Sequence, residues 1–223
     1  YELAGVCRPA EGDAGVAGDF YDWVMSDGRY VDVAVADVMG KGVGAALVMA
    51  ALRTALRAAP MELSPASRVR FAAESLAGAL GLTDDGLFVT LFWGRLDLRS
   101  GTLRYVDGGH GYCAVRRPNG ELLHLSERSL PIGIEAGGTF LEGTIRLQPG
   151  DSLIVYSDGL VETDERTGDL GDFVTELAGP PGAHEMVNRM MDRMPPRPTD
   201  DVTVVVLWRV PASAASPEPA PRL

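Results

Sequence analysis

Short apolar runs closed by glycine-containing pairs follow one another through most of this chain, and that punctuation restricts the possible architectures more than any other feature. Tyr1 to Arg8, Asp19 to Met25 and Tyr30 to Asp37 read as strands, the last two joined into a hairpin by the Asp27-Gly28 turn signal. The pattern resumes after Asp84-Asp85-Gly86 with Leu87 to Leu98, Thr102 to Val106, Tyr112 to Arg117, Glu121 to Leu125, Thr139 to Leu147, Ser152 to Ser157 and finally Val202 to Trp208. Ser100-Gly101, Asn119-Gly120 and Pro149-Gly150 mark turns between them. Helical stretches come in blocks: Val43 to Ala59, then a helix to about Leu82 opened by Ser64 as cap with Pro65 at its first position. A third block runs from Asp172 to Met194, interrupted at Gly179-Pro180-Pro181-Gly182. Grouped helices beside many antiparallel strands predict an α+β fold whose helices cover sheet faces. A single domain over 1–210 is expected, followed by a disordered tail, 211–223, whose Pro, Ala and Ser leave little apolar surface to bury.

Composition narrows the function. Hydrophobic residues make up 46% of the 223, enough for a core, and the net charge is -11. An acidic chain is a poor match for phosphate backbones, which are bound by Lys and Arg, so no nucleic-acid partner is expected and cations are favoured. The most apolar stretch, Val43 to Leu52, meets Arg53 and Arg57 before reaching the roughly 20 residues a bilayer requires, so no membrane insertion is expected. Cys7 and Cys113 form neither a disulfide framework nor a CxxC site, which fits a reduced, cytoplasmic setting. The chain starts at Tyr1 inside a strand-like run, which suggests a domain cut from a longer protein.

Acidic residues recur at strand ends. Asp19 opens one strand, Asp37 and Asp158 close two others, and Asp200 with Asp201 precedes the last. Alternation places Asp37 on the face of Val31, Val33 and Val35, and Asp158 on the face of Ile154 and Tyr156. A carboxylate continuing an apolar face is costly unless paired or bound to a metal. His110, His124 and His184 are widely spaced, so zinc or iron bound through nitrogen or sulfur is poorly supported, and carboxylates select hard cations. Taken singly, each aspartate also reads as a turn, cap or solvated loop residue; joint placement is what raises them. The run DVMGKGVG, Asp37 to Gly44, lacks the spacing of a Walker loop, so its glycines serve close backbone approach and the start of a helix. Lys41 is a candidate for holding a substrate phosphate, beside the equally open reading of a solvated lysine. Ser157 has no nearby His to activate it.

Six segments carry a family resemblance: VAGDFYDW from Val16, VADVMGKGVGAALVMA from Val35, FVTLFWGRLD from Phe88, LRYVDGGH from Leu103, LQPGDSLIVYSDGLVET from Leu147 and TDDVTVVVL from Thr199. In this order they resemble the successive motifs of the SpoIIE/RsbU-type branch of the PP2C (PPM) protein phosphatases. The resemblance implies a PP2C-like β-sandwich of two mainly antiparallel sheets flanked by helices, in α-β-β-α layers, with two Mn2+ or Mg2+ ions at one end. It implies hydrolysis of phosphoserine or phosphothreonine on a regulatory protein by attack of a metal-bridging hydroxide. The substrate in many relatives is a STAS-domain anti-sigma-factor antagonist, and regulation is expected from an upstream sensory or dimerising segment.

By motif position, Asp37 would bridge the ions, the Val38 carbonyl would ligate one, and Asp19, Asp158 and Asp200 would complete the set, with Asp201 the lesser of its pair. Departures from the pattern are Ala17-Gly18 for a double glycine, Met39 where eukaryotic-type members carry histidine, and a short segment from Arg166 to Phe173. His110 reads as structural. The rival readings are a catalytically silent pseudophosphatase that binds a phosphoprotein, a two-metal phosphohydrolase acting on nucleotides or nucleic acid, and calcium binding for structure alone.

Overall fold

The structure is a computed structural model and describes residues 1–10, 18–80, 86–135, 137–162, 182–196 and 198–211. The expected helix start at Asp172, the Arg166 to Phe173 segment and the tail from 212 lie outside these residues.

Two five-stranded antiparallel sheets face each other. One runs β1 (Glu2–Arg8), β10 (Val202–Trp208), β9 (Ser152–Tyr156), β6 (Cys113–Arg116), β7 (Leu122–His124); the other runs β2 (Phe20–Ser26), β3 (Tyr30–Val38), β4 (Val89–Asp97), β5 (Thr102–Gly108), β8 (Gly143–Arg146). The β2–β3 hairpin closes through the three residues 27–29, with Asp27 and Gly28 both at positive φ, 52° and 60°, and the Arg29 amide donating to the Ser26 carbonyl at 3.0 Å.

Alternation sorts side chains between layers. On β3, Val31, Val33 and Val35 point into the inter-sheet core with Phe92, Leu103, Leu153, Val155 and Val205, while Ala34, Ala36 and Val38 face the helices. Small alanines let α1 (Val43–Ala58) and α2 (Pro65–Leu80) sit close, α1 burying Ala45, Val48, Leu52 and Leu56 at helical spacing. Ser64 Oγ accepts the Ser67 amide at 3.3 Å, so the expected cap forms. Across the molecule, the outer face of β9 and β10 is covered by α3 (Gly159–Glu162) and α4 (Ala183–Met191) through Leu160, Met186 and Met190. The layers are therefore helix, sheet, sheet, helix, as the resemblance implied.

Three expectations are corrected. The strand read from Thr139 to Leu147 is confined to Gly143–Arg146, because beyond Tyr105 the edge of β5 is occupied by another segment: Ser129 donates to the Asp107 carbonyl at 2.7 Å. The short helix α3 was not expected after β9. Because β9 ends at Tyr156, its alternation does not reach Asp158, so the face shared by Ile154 and Tyr156, which packs on α4, is not what places that carboxylate.

Among the described residues no helix is long and apolar enough to cross a membrane.

Candidate metal centre

Chain segments carrying the aspartates meet at one end of the sandwich. Asp37 lies near the end of β3, Asp19 immediately precedes β2, Asp158 follows β9 by two residues, and Asp200 and Asp201 precede β10. Antiparallel pairing explains the convergence, since the last residues of β9 and β3 lie beside the first residues of β10 and β2: Tyr156 opposite Val204, Ala36 opposite Phe20.

The loop after β3 is shaped by backbone conformation. Gly40 and Gly42 take φ of 97° and 79°, a region costly for other residues, and no atom crowds the Cβ position of either. They turn the chain sharply from Val38 into α1, whose N-cap is Gly42. Gly18 serves a different purpose: a Cβ there would stand 3.1 Å from the Val38 carbonyl oxygen and 3.4 Å from that of Gly40. The second glycine of the expected pair is thus the one that lets the Asp19 segment close onto the Val38 loop.

The carboxylates are graded in depth. Asp19 is buried, with 4% of its surface exposed; Asp37 and Asp158 are half-buried; the Asp200 side chain is 42% exposed. Burial, then the charge of Asp37, raises the Asp19 carboxyl well above the usual range, with the Ser157 and Thr203 hydroxyls working against it. Asp37 is pushed up to about 6 by burial and by the charges of Asp158, Asp200 and Asp201. Asp158 is raised by burial and by Asp200. Mutual repulsion among these groups is itself a sign that they share one neighbourhood.

Asp19 Oδ2 is buried without a hydrogen-bond partner. An orphaned carboxylate oxygen among other carboxylates is a donor set of the all-oxygen kind that suits a hard divalent cation, so these residues fit the ions the resemblance implies. No set of three or more His, Cys, Asp or Glu side chains among the described residues is drawn around a single point, so the carboxylates are assembled without forming a closed coordination shell.

Asp201 sits differently from its neighbour. Its Oδ1 accepts the Ala10 amide at 2.8 Å and its Oδ2 the Gly18 amide at 2.7 Å, while Asp200 Oδ1 accepts the Asp201 amide at 2.9 Å and lies 3.6 Å from Lys41 Nζ. Lys41 is at the exposed rim. His110 is buried: its amide donates to Asp107 at 2.7 Å, its Nδ1 lies 3.3 Å from the Oγ1 of Thr90, the β4 residue opposite Asp37, and burial holds its ring down to about 4.

Sequence reasoning dismissed Ser157 as a nucleophile and did not single out Thr203, and gave neither a part in shaping the site. Ser157 Oγ donates to the Asp201 carbonyl at 3.2 Å and accepts the Thr203 amide at 2.8 Å, stitching the ends of β9 and β10 together. A signal existed, since polar Ser157 and Thr203 each lie at the acidic end of an otherwise apolar strand sequence.

Comparison with known proteins identifies the family. The family model described as Stage II sporulation protein E (SpoIIE) matches residues 27–210, most of the chain. The chain belongs to the SpoIIE family. That is the family whose motif order the sequence resembles. It is 29% identical over 192 residues to Protein IcfG of Synechocystis sp., covering 75% of this chain and 30% of that protein. It is 27% identical over 210 residues to phosphoserine phosphatase RsbU of Bacillus subtilis, covering 87% of this chain and 60% of that protein. The crystal structure of the RsbU and RsbW domains of Rv1364c from Mycobacterium tuberculosis superposes with a TM-score of 0.77 at 24% identity, covering 94% of this chain and 60% of that one. The SpoIIE-family match starts at residue 27, yet β1 pairs along its whole length with β10, so the folded unit extends to the residues before the match.

Proposed function

We propose that this chain is a metal-dependent phosphatase that removes phosphate from phosphoserine or phosphothreonine on a regulatory protein. The observation that carries the reading is the convergence of Asp19, Asp37, Asp158 and Asp200 from four separate stretches, one of them with a buried, unpartnered oxygen. Membership of the SpoIIE family and similarity to a protein described as a phosphoserine phosphatase support it.

The four carboxylates and the Val38 carbonyl would hold two Mn2+ or Mg2+ ions. Such ions, when bound, lower the pKa of a water and neutralise charge on the phosphoryl oxygens. The chain's own residues do the rest. Buried Asp19 and half-buried Asp37 fix the deep side of the site, Asp158 and Asp200 line the solvent side, and Lys41 at the rim is placed to orient the phosphate of an arriving protein. Ser157 is occupied by Asp201 and Thr203, so no side-chain nucleophile and no phosphoenzyme are expected. The proposed substrate class is a STAS-type anti-sigma-factor antagonist, met in the cytoplasm, with a sensory or dimerising segment outside these residues setting the activity; the motif resemblance supports this extension.

The test is phosphate release from a phosphoserine protein with Mn2+, repeated with Asp37→Asn and Asp158→Asn. Each variant is expected to lose about 100-fold or more in rate, beyond the 10–100-fold typical of groups that merely support a ligand. Turnover of nucleotides in place of phosphoprotein, or full activity in both variants, would overturn the reading.

A further inference from the structure

Asp201 is bonded to the residue before Asp19, bonded to the residue before Asp158, and itself follows Asp200. Its carboxylate receives the Gly18 amide at 2.7 Å, its carbonyl receives the Ser157 hydroxyl at 3.2 Å, and its other carboxylate oxygen receives the Ala10 amide at 2.8 Å from the chain leaving β1. One residue is thus a covalent or hydrogen-bonded neighbour to the backbone positions of three of the four aspartates. These bonds span 191 and 183 residues of sequence and act two residues beyond the last paired residue of β1, Arg8, and two before the first of β2, Phe20. The Gly159 position presses on the same residue: a Cβ there would stand 2.1 Å from the Asp201 carbonyl oxygen.

We infer that Asp201 is a positioning residue and not a metal ligand: its carboxylate clamps the Ala10 and Gly18 amides and so sets where Asp19 meets Asp37. The inference rests on the metal-dependent reading above and divides the labour of the Asp200-Asp201 pair. Ala10 and Gly18 are both buried, so a carboxylate that turned away to bind an ion would leave two backbone donors without partners where water does not replace them. Asp200 has no such duty beyond the amide of its own neighbour, and it is exposed enough to turn toward an ion.

The experiment follows amide hydrogen exchange at Ala10 and Gly18 by NMR in the metal-free protein and at saturating Mg2+, with Mg2+ affinity measured by calorimetry on the same samples. In the wild type both amides are expected to be protected without Mg2+ and to stay protected with it. Asp201→Ala should release both amides and weaken Mg2+ binding about tenfold, the low end of the effect of a group that orients a ligand. Asp201→Asn, which keeps one carbonyl oxygen as acceptor, should fall between.

Asp200→Asn should leave both amides protected and weaken Mg2+ more than either Asp201 variant. Loss of protection in the wild type as Mg2+ saturates would show the carboxylate moving to the ion and overturn the assignment without any variant. A lowered melting temperature in Asp201→Ala with unchanged Mg2+ affinity would mean that the residue only stabilises the fold, and would overturn it too. Failure of the wild type to bind Mg2+ at all would sink the phosphatase reading instead, while the exchange data would still report whether the clamp exists.

Discussion

Gly159 is the position with the least room near the carboxylates. A methyl group there would stand 2.1 Å from a backbone oxygen, which cannot swing aside as a flexible side chain could. Gly159→Ala is expected to cost about 1–3 kcal/mol, the usual range for forcing extra volume into packed structure, and to weaken divalent-ion binding because the displaced strand end carries Asp200 and Asp201. Urea unfolding and Mg2+ calorimetry on the variant check both halves. The residue also marks where reading the sequence stopped short. Asp158-Gly159 looked like a turn or a motif element, but the reason for the glycine lies in contact with a carbonyl 42 positions further along the chain, which a linear pattern does not encode. Asp201 shows the same limit, as one carboxylate beside another in sequence with a different set of partners in space.

Secondary-structure elements were legible where local chemistry dictated them. The apolar alternation of β3 and the Ser64-Pro65 start of α2 needed only neighbours in sequence, and both formed where expected. The strand expected from Thr139 formed only over Gly143–Arg146 because the rest of its pairing edge was taken by Ser129, a competition between segments that no window of sequence shows. How α1 and α2 are held together was equally invisible. Arg68 on α2 is buried, donates to the Leu56 carbonyl at 2.8 Å and the Pro60 carbonyl at 2.7 Å, and lies 5.5 Å from the centre of the Trp93 ring. It thereby satisfies the Leu56 carbonyl in the last turn of α1, which has no partner within that helix, and ties in the Pro60 carbonyl beyond it, which also accepts the Leu63 amide at 3.2 Å. Arg68→Met keeps much of the volume and leaves the buried Leu56 acceptor unmet, so a loss of about 1–3 kcal/mol is expected, the cost of one buried unsatisfied group. Thermal or urea unfolding reads it, and a change below about 0.5 kcal/mol would refute this account of the helix pair.

At the scale of the whole molecule, opposed titrations set the stability of the metal-free protein. The Asp37 carboxyl, raised from its ordinary 3.8 to about 6, binds its proton more tightly folded than unfolded, so its contribution is present below about pH 4 and is lost as pH rises through 6. His110 runs the other way: held down to about 4, it favours folding above its unfolded value near 6.5 and loses that contribution as pH falls through 4. In chelator, Asp37→Asn should therefore raise the melting temperature at pH 7.5 and change it little at pH 4, whereas in wild type added Mn2+ should stabilise most at the higher pH. Equal effects of the substitution at both pH values would contradict the crowding of charge at this end of the sandwich. The sequence by itself determined the α+β class, the apolar faces and the order of the family motifs, because strand alternation, caps and turn residues act between near neighbours. Only the tertiary structure decided which aspartates meet, how deep each lies and which one clamps backbone, because antiparallel pairing brings together residues as far apart as 10 and 201, and burial and charge repulsion exist only once they are adjacent.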